Sequence, residues 1–168
     1  MPKSTSPLVS IVMGSDSDLP LMKAATEMLD QFNVAHEVRI VSAHRTPELA
    51  HEYARTLADR GVAVVIAAAG GAAHLAGVIA SLTPLPVIGV PVVSDFMGGL
   101  DSLLSMVQMP AGVPVATVAA GKSGPKNAAI LAVQILGVKD PAMRRRISDY
   151  KAALAQQGSQ KDSQIRGK

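Results

Sequence analysis

The chain has 168 residues, a size at which one domain with a full hydrophobic core is the expected count. It contains no cysteine, which excludes disulfides, thiolate chemistry and sulfur-ligated metal sites. Its net charge of +3 is unevenly spread: residues 1–138 hold eight Lys/Arg against ten Asp/Glu, and residues 139–168 hold eight against three. With two Phe, two Tyr and no Trp there is almost no platform on which bases could stack. The basic C-terminal stretch therefore reads as a solvated helix face, and no nucleic-acid partner is expected. The N-terminal MPKSTSPLVS lacks a long apolar core and a small-residue cleavage site. No apolar run reaches the roughly 18 residues that a membrane span needs. A cytoplasmic location without membrane association is the expectation.

In chain order, the first apolar run, Leu8 to Met13, ends in Gly14-Ser15-Asp16-Ser17-Asp18, and a helix is predicted over Asp18 to Phe32 with Ser17 and Asp18 offering caps. The second strand, Val34 to Ile40, opens on Ser42-Ala43-His44-Arg45-Thr46. The helix Pro47 to Arg60 follows, and Thr46-Pro47-Glu48 reads as N-cap, first helical residue and acidic first turn. The third strand, Val62 to Ala68, leads into Ala69-Gly70-Gly71-Ala72-Ala73-His74 and a helix to Leu82. Pro86 to Val90 and Val113 to Val118 complete the strands, with helices over Gly99 to Gln108 and Lys126 to Leu136. After a break at Gly137 to Pro141, a last helix to about Gln156 carries the stripe Met143, Ile147, Tyr150 and Leu154, with Arg144, Arg145, Arg146 and Lys151 largely off it. Residues 157–168 are polar and predicted to be a disordered tail.

Alternating β and α segments with nearly continuous apolar strands mean a parallel sheet covered on both faces. The expected architecture is a single α/β domain over residues 1–156, three-layer α/β/α, flavodoxin-like or Rossmann-like, with a C-terminal helix. The striped last helix and the 48% hydrophobic content make a homo-oligomer the expected state.

Ligands of open parallel sheets bind beyond the carboxyl ends of the strands, and the chain's polar loop residues fall there. The first loop offers hydroxyls and N–H groups at a helix N-terminus, but Asp16 and Asp18 would repel an anion, so a hydroxylated, neutral group such as a ribose fits better. The competing reading is that Ser17 or Asp18 is only a cap. Arg45 has a planar fork of donors suited to phosphate, against an ordinary ion pair. His44, in a short loop at a strand end, can give and take a proton near neutrality. Gly70-Gly71-Ala72-Ala73 lets the backbone approach a ligand closely ahead of His74. His36 and His51 read as structural or surface residues.

Taken together, GSDSD, SAHRTP, AGGAAHLAG and GLDSLLSMVQMPAGVPVATVAAGKSG resemble the class I carboxyaminoimidazole ribonucleotide mutases of de novo purine synthesis, in order and at the family's spacing from about Val9 to Leu136. Asp95-Phe96-Met97 and Pro125-Lys126 depart from the family's pattern. The resemblance implies conversion of N5-carboxyaminoimidazole ribonucleotide to 4-carboxy-5-aminoimidazole ribonucleotide without metal, nucleotide or redox cofactor, in a homo-octamer with sites at subunit junctions. By position it also implies that Ser15, Asp18 and Arg45 hold the ribose phosphate, that Ser17 and Ser42 assist, and that His44 handles protons. Gly70, Gly71, His74 and Leu75 would line the pocket for the imidazole and the migrating carboxyl.

Two rivals bear on this reading. A related carboxylase that uses free CO2 has, in its pattern, Lys where this chain has Arg45, and a different loop in place of AGGAAHLAG. A phospho-receiver domain would need a phosphorylatable Asp ending the third strand, where Ala67-Ala68-Ala69-Gly70 supplies none. A flavin module is disfavoured because no aromatic precedes Phe96 in the rim loops.

Overall fold

The computed structural model describes residues 6–167, so residues 1–5 of the N-terminal segment and Lys168 of the tail lie outside the described residues. The elements run β1 (Val9–Met13), α1 (Leu19–Gln31), β2 (His36–Ile40), α2 (Pro47–Thr56), β3 (Val64–Gly70), α3 (Leu75–Leu82), β4 (Val87–Val92), α4 (Leu100–Val107), β5 (Ala116–Thr117), α5 (Ser123–Gly137) and α6 (Pro141–Arg166). The five strands are all parallel in the order β2-β1-β3-β4-β5. This is the flavodoxin-like order, with its reversal of direction between β1 and β3.

The two faces of the sheet follow from side-chain alternation. Val9, Ile11 and Met13 of β1 join Val64, Ile66 and Ala68 of β3 in a core that α1, α5 and α6 cover. Val12 of β1 and Val65, Ala67 and Ala69 of β3 face the other core, beneath α2, α3 and α4. Each fully buried Ile or Leu side chain in these cores contributes roughly 1.5–3 kcal/mol of transfer free energy. Small residues set the spacing of the layers. Ala128, Ala129 and Ala132 bring α5 close to the sheet, and a Cβ on Gly124 would collide with the Ala119 carbonyl.

Several boundaries differ from the sequence expectation. The fifth strand shrinks to two residues because Pro114 lacks a donor and lies just before the ladder, although the N–H of Val118 still reaches Gly89 O at 3.0 Å. Helix α5 begins at Ser123 rather than Lys126, and Pro125 sits in its first turn, where a missing N–H costs nothing. The 3-10 turn Asp16–Asp18 precedes α1 and is capped by Ser15, whose Oγ accepts the Ser17 N–H at 3.3 Å; neither Ser17 nor Asp18 caps α1 through its side chain. Thr46 stands at the start of α2 without capping it. Its hydroxyl turns back to donate to Ser42 O at 2.9 Å and accept from Ser42 N at 3.3 Å.

Helix α6 continues to Arg166, past the expected end near Gln156 and through the segment expected to be disordered. Asp140 caps it, accepting from the N–H groups of Ala142 and Met143 at 2.9 and 3.2 Å. Ala, Gln and Lys carry it onward with favourable helix propensity, closed by an Arg166–Asp162 pair. Met143 and Ile147 of its stripe are buried against α5, whereas Leu154 is exposed.

The edge strand β2 is tied down by a polar chain. Ser10 Oγ donates to Glu37 Oε1 at 2.6 Å, and a hydroxyl has one proton, so the Tyr53 phenol must donate to Ser10 Oγ across 2.6 Å. Arg60 grips both Glu37 oxygens at 2.8 and 2.9 Å and lies 5.5 Å from the Tyr53 ring centroid. Burial, more than the neighbouring Glu37 charge, pushes the Tyr53 phenol up to about 12. The fold therefore favours neutral Tyr53, a contribution complete below pH 10 and lost as pH rises through about 12. Tyr53→Phe should cost about 1 kcal/mol in denaturant unfolding at pH 7 and should remove the late step from a spectrophotometric tyrosine titration. An unchanged titration curve would contradict this chain of bonds.

Candidate active site

Because β2 and β3 pair with opposite edges of β1, the loops after these three strands leave the sheet side by side. They enclose a cleft of about 410 Å³ lined by Gly14, Ser15, Ser17, Asp18, Ser42, Ala43, His44, Arg45, Ala69, Gly70 and Leu75. That volume is in the range of small-ligand sites. Eight of the ten residues singled out from the sequence are among the lining; the other two, Gly71 and His74, lie in the same β3–α3 loop. Gly14, Ala43 and Ala69 are additions, and they contribute backbone and methyl surface, which carries little sequence signal.

The first loop is organised around its own hydroxyls. Ser17 Oγ donates to Ser15 Oγ at 2.9 Å, and Ser15 Oγ contacts Asp16 Oδ1 at 3.2 Å. Asp18 is buried at the cleft wall. Burial first, and then the nearby Asp16 charge, raise its carboxyl above the usual range, while the Ser17 hydroxyl works against the rise. An ionised Asp18 is thus short of donors, which hydroxyl groups of a ligand could supply.

Arg45 links the first two loops. Its Nη2 donates to Gly14 O at 2.7 Å, its Nε reaches Ser42 Oγ at 3.5 Å, and its backbone N–H donates to the same hydroxyl at 3.1 Å. The guanidinium is therefore a brace as well as a fork. Two of its five N–H groups are engaged, and three remain for a ligand.

The second and third loops meet through their histidines. His44 Nε2 and His74 Nδ1 are 2.9 Å apart, with the rings edge to face at 4.9 Å between centroids. One nitrogen must carry the proton of that bond. If His44 donates from Nε2, the same bond persists whether its Nδ1 is bare or protonated; if His74 donates, protonation of His44 at Nε2 breaks it. Both rings are exposed to solvent.

The remaining sequence candidates lie apart from the cleft lining. His36 binds the Val34 carbonyl at 3.0 Å and stands 4.0 Å from Asp30, and His51 is exposed on α2. Phe96 and Met97 are exposed in the loop after β4, with Met97 at φ +46°, and Lys126 lies 6.0 Å from the Tyr150 ring centroid. Among the described residues no three His, Asp or Glu side chains gather to hold a metal ion, and no helix is long and apolar enough to cross a membrane. Sequence reading missed one polar group, Ser102 with Asp101 and Ser94. Asp101 and Ser102 lie within the GLDSLLS stretch, whose spacing predicts only a helix, and Ser94 lies in the loop after the fourth strand.

The chain's residues 8–157 match the family model described as AIR carboxylase. It is 60% identical over 148 residues to the N5-carboxyaminoimidazole ribonucleotide mutase of Pyrococcus horikoshii, covering 88% of this chain and 82% of that protein. It is 54% identical over 159 residues to the mutase of the same name from Thermotoga maritima, covering 95% and 92%. The crystal structure of Treponema denticola PurE superposes with a TM-score of 0.85 at 32% identity, covering 94% of this chain and 98% of that one. The chain belongs to the AIR carboxylase family and is, by sequence, a member of its N5-carboxyaminoimidazole ribonucleotide mutase group.

Proposed function

We propose that this cleft converts N5-carboxyaminoimidazole ribonucleotide into 4-carboxy-5-aminoimidazole ribonucleotide in de novo purine biosynthesis, in the cytoplasm. The observation that carries the reading is His44, paired with His74 at 2.9 Å, on one wall of a cleft whose other walls present Arg45, Asp18 and serine hydroxyls. The free donors of Arg45 and the Ser15 and Ser17 hydroxyls suit the ribose phosphate, and Asp18 suits a sugar hydroxyl.

In this mechanism the bond between the exocyclic nitrogen and its carboxyl breaks, releasing CO2 inside the cleft. The nitrogen takes a proton from His44. The electron-rich ring carbon then attacks the trapped CO2, forming the new carbon–carbon bond, and His44 removes the proton from that carbon. The proton lent in the first half is recovered in the second, so no co-reactant is needed. The His44 nitrogen that His74 leaves free is the one that carries it, and His74 holds the ring in place. Leu75, the small-residue β3–α3 loop and the close backbone at Gly70 limit the space into which CO2 can move.

Turnover of the N5-carboxylated ribonucleotide without bicarbonate, set against aminoimidazole ribonucleotide with bicarbonate, tests the reaction; activity only in the second case would make the protein a carboxylase. His44→Asn keeps polarity and size but cannot carry a proton, so kcat should fall by about a hundredfold or more while calorimetric affinity is maintained. An Asn variant that binds normally and keeps over about a tenth of wild-type kcat would transfer the role to His74.

Lysine at position 45 cannot both brace Gly14 and grip a phosphate with a planar fork. Arg45→Lys should therefore raise KM by about tenfold or more, with a smaller fall in kcat, in steady-state kinetics. An unchanged KM would place the phosphate elsewhere.

We infer that the protein works as a homo-octamer. Val38 and Ile40 stand exposed on the edge strand β2, with Leu19 and Leu49 exposed on the helices flanking it. A row of apolar side chains on an open edge is what an interface between copies would cover. Multi-angle light scattering at micromolar concentration should give the mass of eight chains, and a monodisperse monomer would refute the assembly.

A further inference from the structure

Among the buried polar side chains, Ser102 is fully enclosed in the first turn of α4. Its helical neighbour Ser105 donates back to its own helix, to Asp101 O at 2.7 Å. Ser102 instead reaches across 31 positions of sequence, and its Oγ accepts the backbone N–H of Gly71 at 2.9 Å. Gly71 has φ +66°, a conformation open to glycine, so the loop turns sharply at the residue that Ser102 holds. Three residues on, His74 makes its bond to His44, and the intervening chain is tight, with His74 N–H donating to Ala72 O at 2.9 Å.

Ser102 is itself fixed. Asp101 Oδ1 accepts from the Ser102 backbone N–H at 2.8 Å, from Ser94 Oγ at 2.6 Å and, more loosely, from Ser102 Oγ at 3.4 Å. The Ser94 hydroxyl above all keeps the Asp101 carboxyl below the usual range, so the acceptor is charged at neutral pH. A buried hydroxyl is costly unless it is bonded, and here its acceptor capacity goes to a loop of the cleft and not to its own helix.

We propose that Ser102 is a positioning residue for the reaction, held by Asp101 and Ser94. It fixes Gly71, and with it the part of the β3–α3 loop that sets His74 against His44 and walls in the migrating carboxyl. This rests on the reading of the cleft given above. A loosened loop would leave the phosphate and ribose contacts of the other two loops intact, so the loss falls on chemistry and on retention of CO2 more than on binding.

Ser102→Ala and Ser102→Thr in the full chain, assayed for kcat, KM and the share of substrate released as free aminoimidazole ribonucleotide, test it, with thermal melting as the control for folding. Ser102→Ala should lower kcat by about tenfold or more, hold KM within about threefold and raise the released share; Thr, which keeps the hydroxyl, should return kcat to within about threefold of wild type. A cooperatively melting Ala variant with kcat within about twofold of wild type, or a Thr variant as impaired as Ala, would overturn the proposal. Should Ser102→Ala fail to melt cooperatively, Asp101→Ala decides, with the same kcat fall at unchanged KM expected and an unchanged kcat refuting. Should the wild type itself not turn over this substrate, the reading of the cleft fails separately. The hold on the loop is then judged by Gly71 amide exchange, expected to speed up about tenfold or more in Ser102→Ala, no change overturning it.

Discussion

The structure turns on one constraint, that β1 is paired in parallel on both edges while the chain leaves it in opposite directions. From β1 the first crossover goes to β2 and the next returns past β1 to β3, so the loops after all three strands open at the same end. No helix crosses between them there. The gap is a consequence of strand order, and residues far apart in sequence can meet in it without any loop being long. Arg45 and Gly14 are 31 positions apart, and His44 and His74 are 30, yet each pair is within hydrogen-bond distance.

The braces of this gap come from the loops themselves and from the layer behind them. Arg45 joins the first loop to the second, the His pair joins the second to the third, and Ser102 joins the third to α4. The small residues of β3 let such short contacts form. A larger side chain than Ala at 69, or than Gly at 70, would fill space that the cleft or the neighbouring strand occupies; a Cβ on Gly70 would already meet Val92 at 3.4 Å. At the other end of the same strands, the Ser10, Tyr53, Glu37 and Arg60 chain holds the edge strand in register. That register in turn decides where Ser42 and Arg45 emerge.

The layered fold was legible because fully covered strands leave continuous apolar runs, and Leu8 to Met13 or Val62 to Ala68 have no other easy explanation. Their ends were less legible. The alternation in Val113 to Val118 looks like a strand until Pro114 is allowed for, and nothing local in GSQKDSQIR marks a helix that touches no core. The site was legible in its side chains, since a His-Arg pair and a Gly-Gly-Ala-Ala-His run stand out at strand ends. Its bonds were not. Whether Arg45 braces a carbonyl, or Thr46 faces forward to cap α2 or backward to Ser42, depends on how two loops approach each other. Ser102 escaped notice for the same reason, because a serine in a helical turn looks alike whether it bonds its own helix or a glycine 31 residues away.

The chain's charge illustrates how composition and site can diverge. The C-terminal excess of arginine suggested a basic face, and the structure gives two of those arginines local work. Arg144 donates to the carbonyls of Gly137 and Val138 where α5 ends, and Arg146 donates to the Phe32 carbonyl just past the end of α1. Cations at helix C-termini satisfy orphan carbonyls and oppose the helix dipole. None of them lines the cleft, where Arg45 is the one side chain of permanent positive charge and Asp18 stands opposite in sign. The net charge of +3 thus comes from the C-terminal stretch and not from the cleft lining. On the reading proposed above, the phosphate would fall to the three free N–H groups of a guanidinium whose Nη2 also braces Gly14 O, with the Ser15 and Ser17 hydroxyls beside it, so the geometry of that one side chain bears on both the brace and the grip.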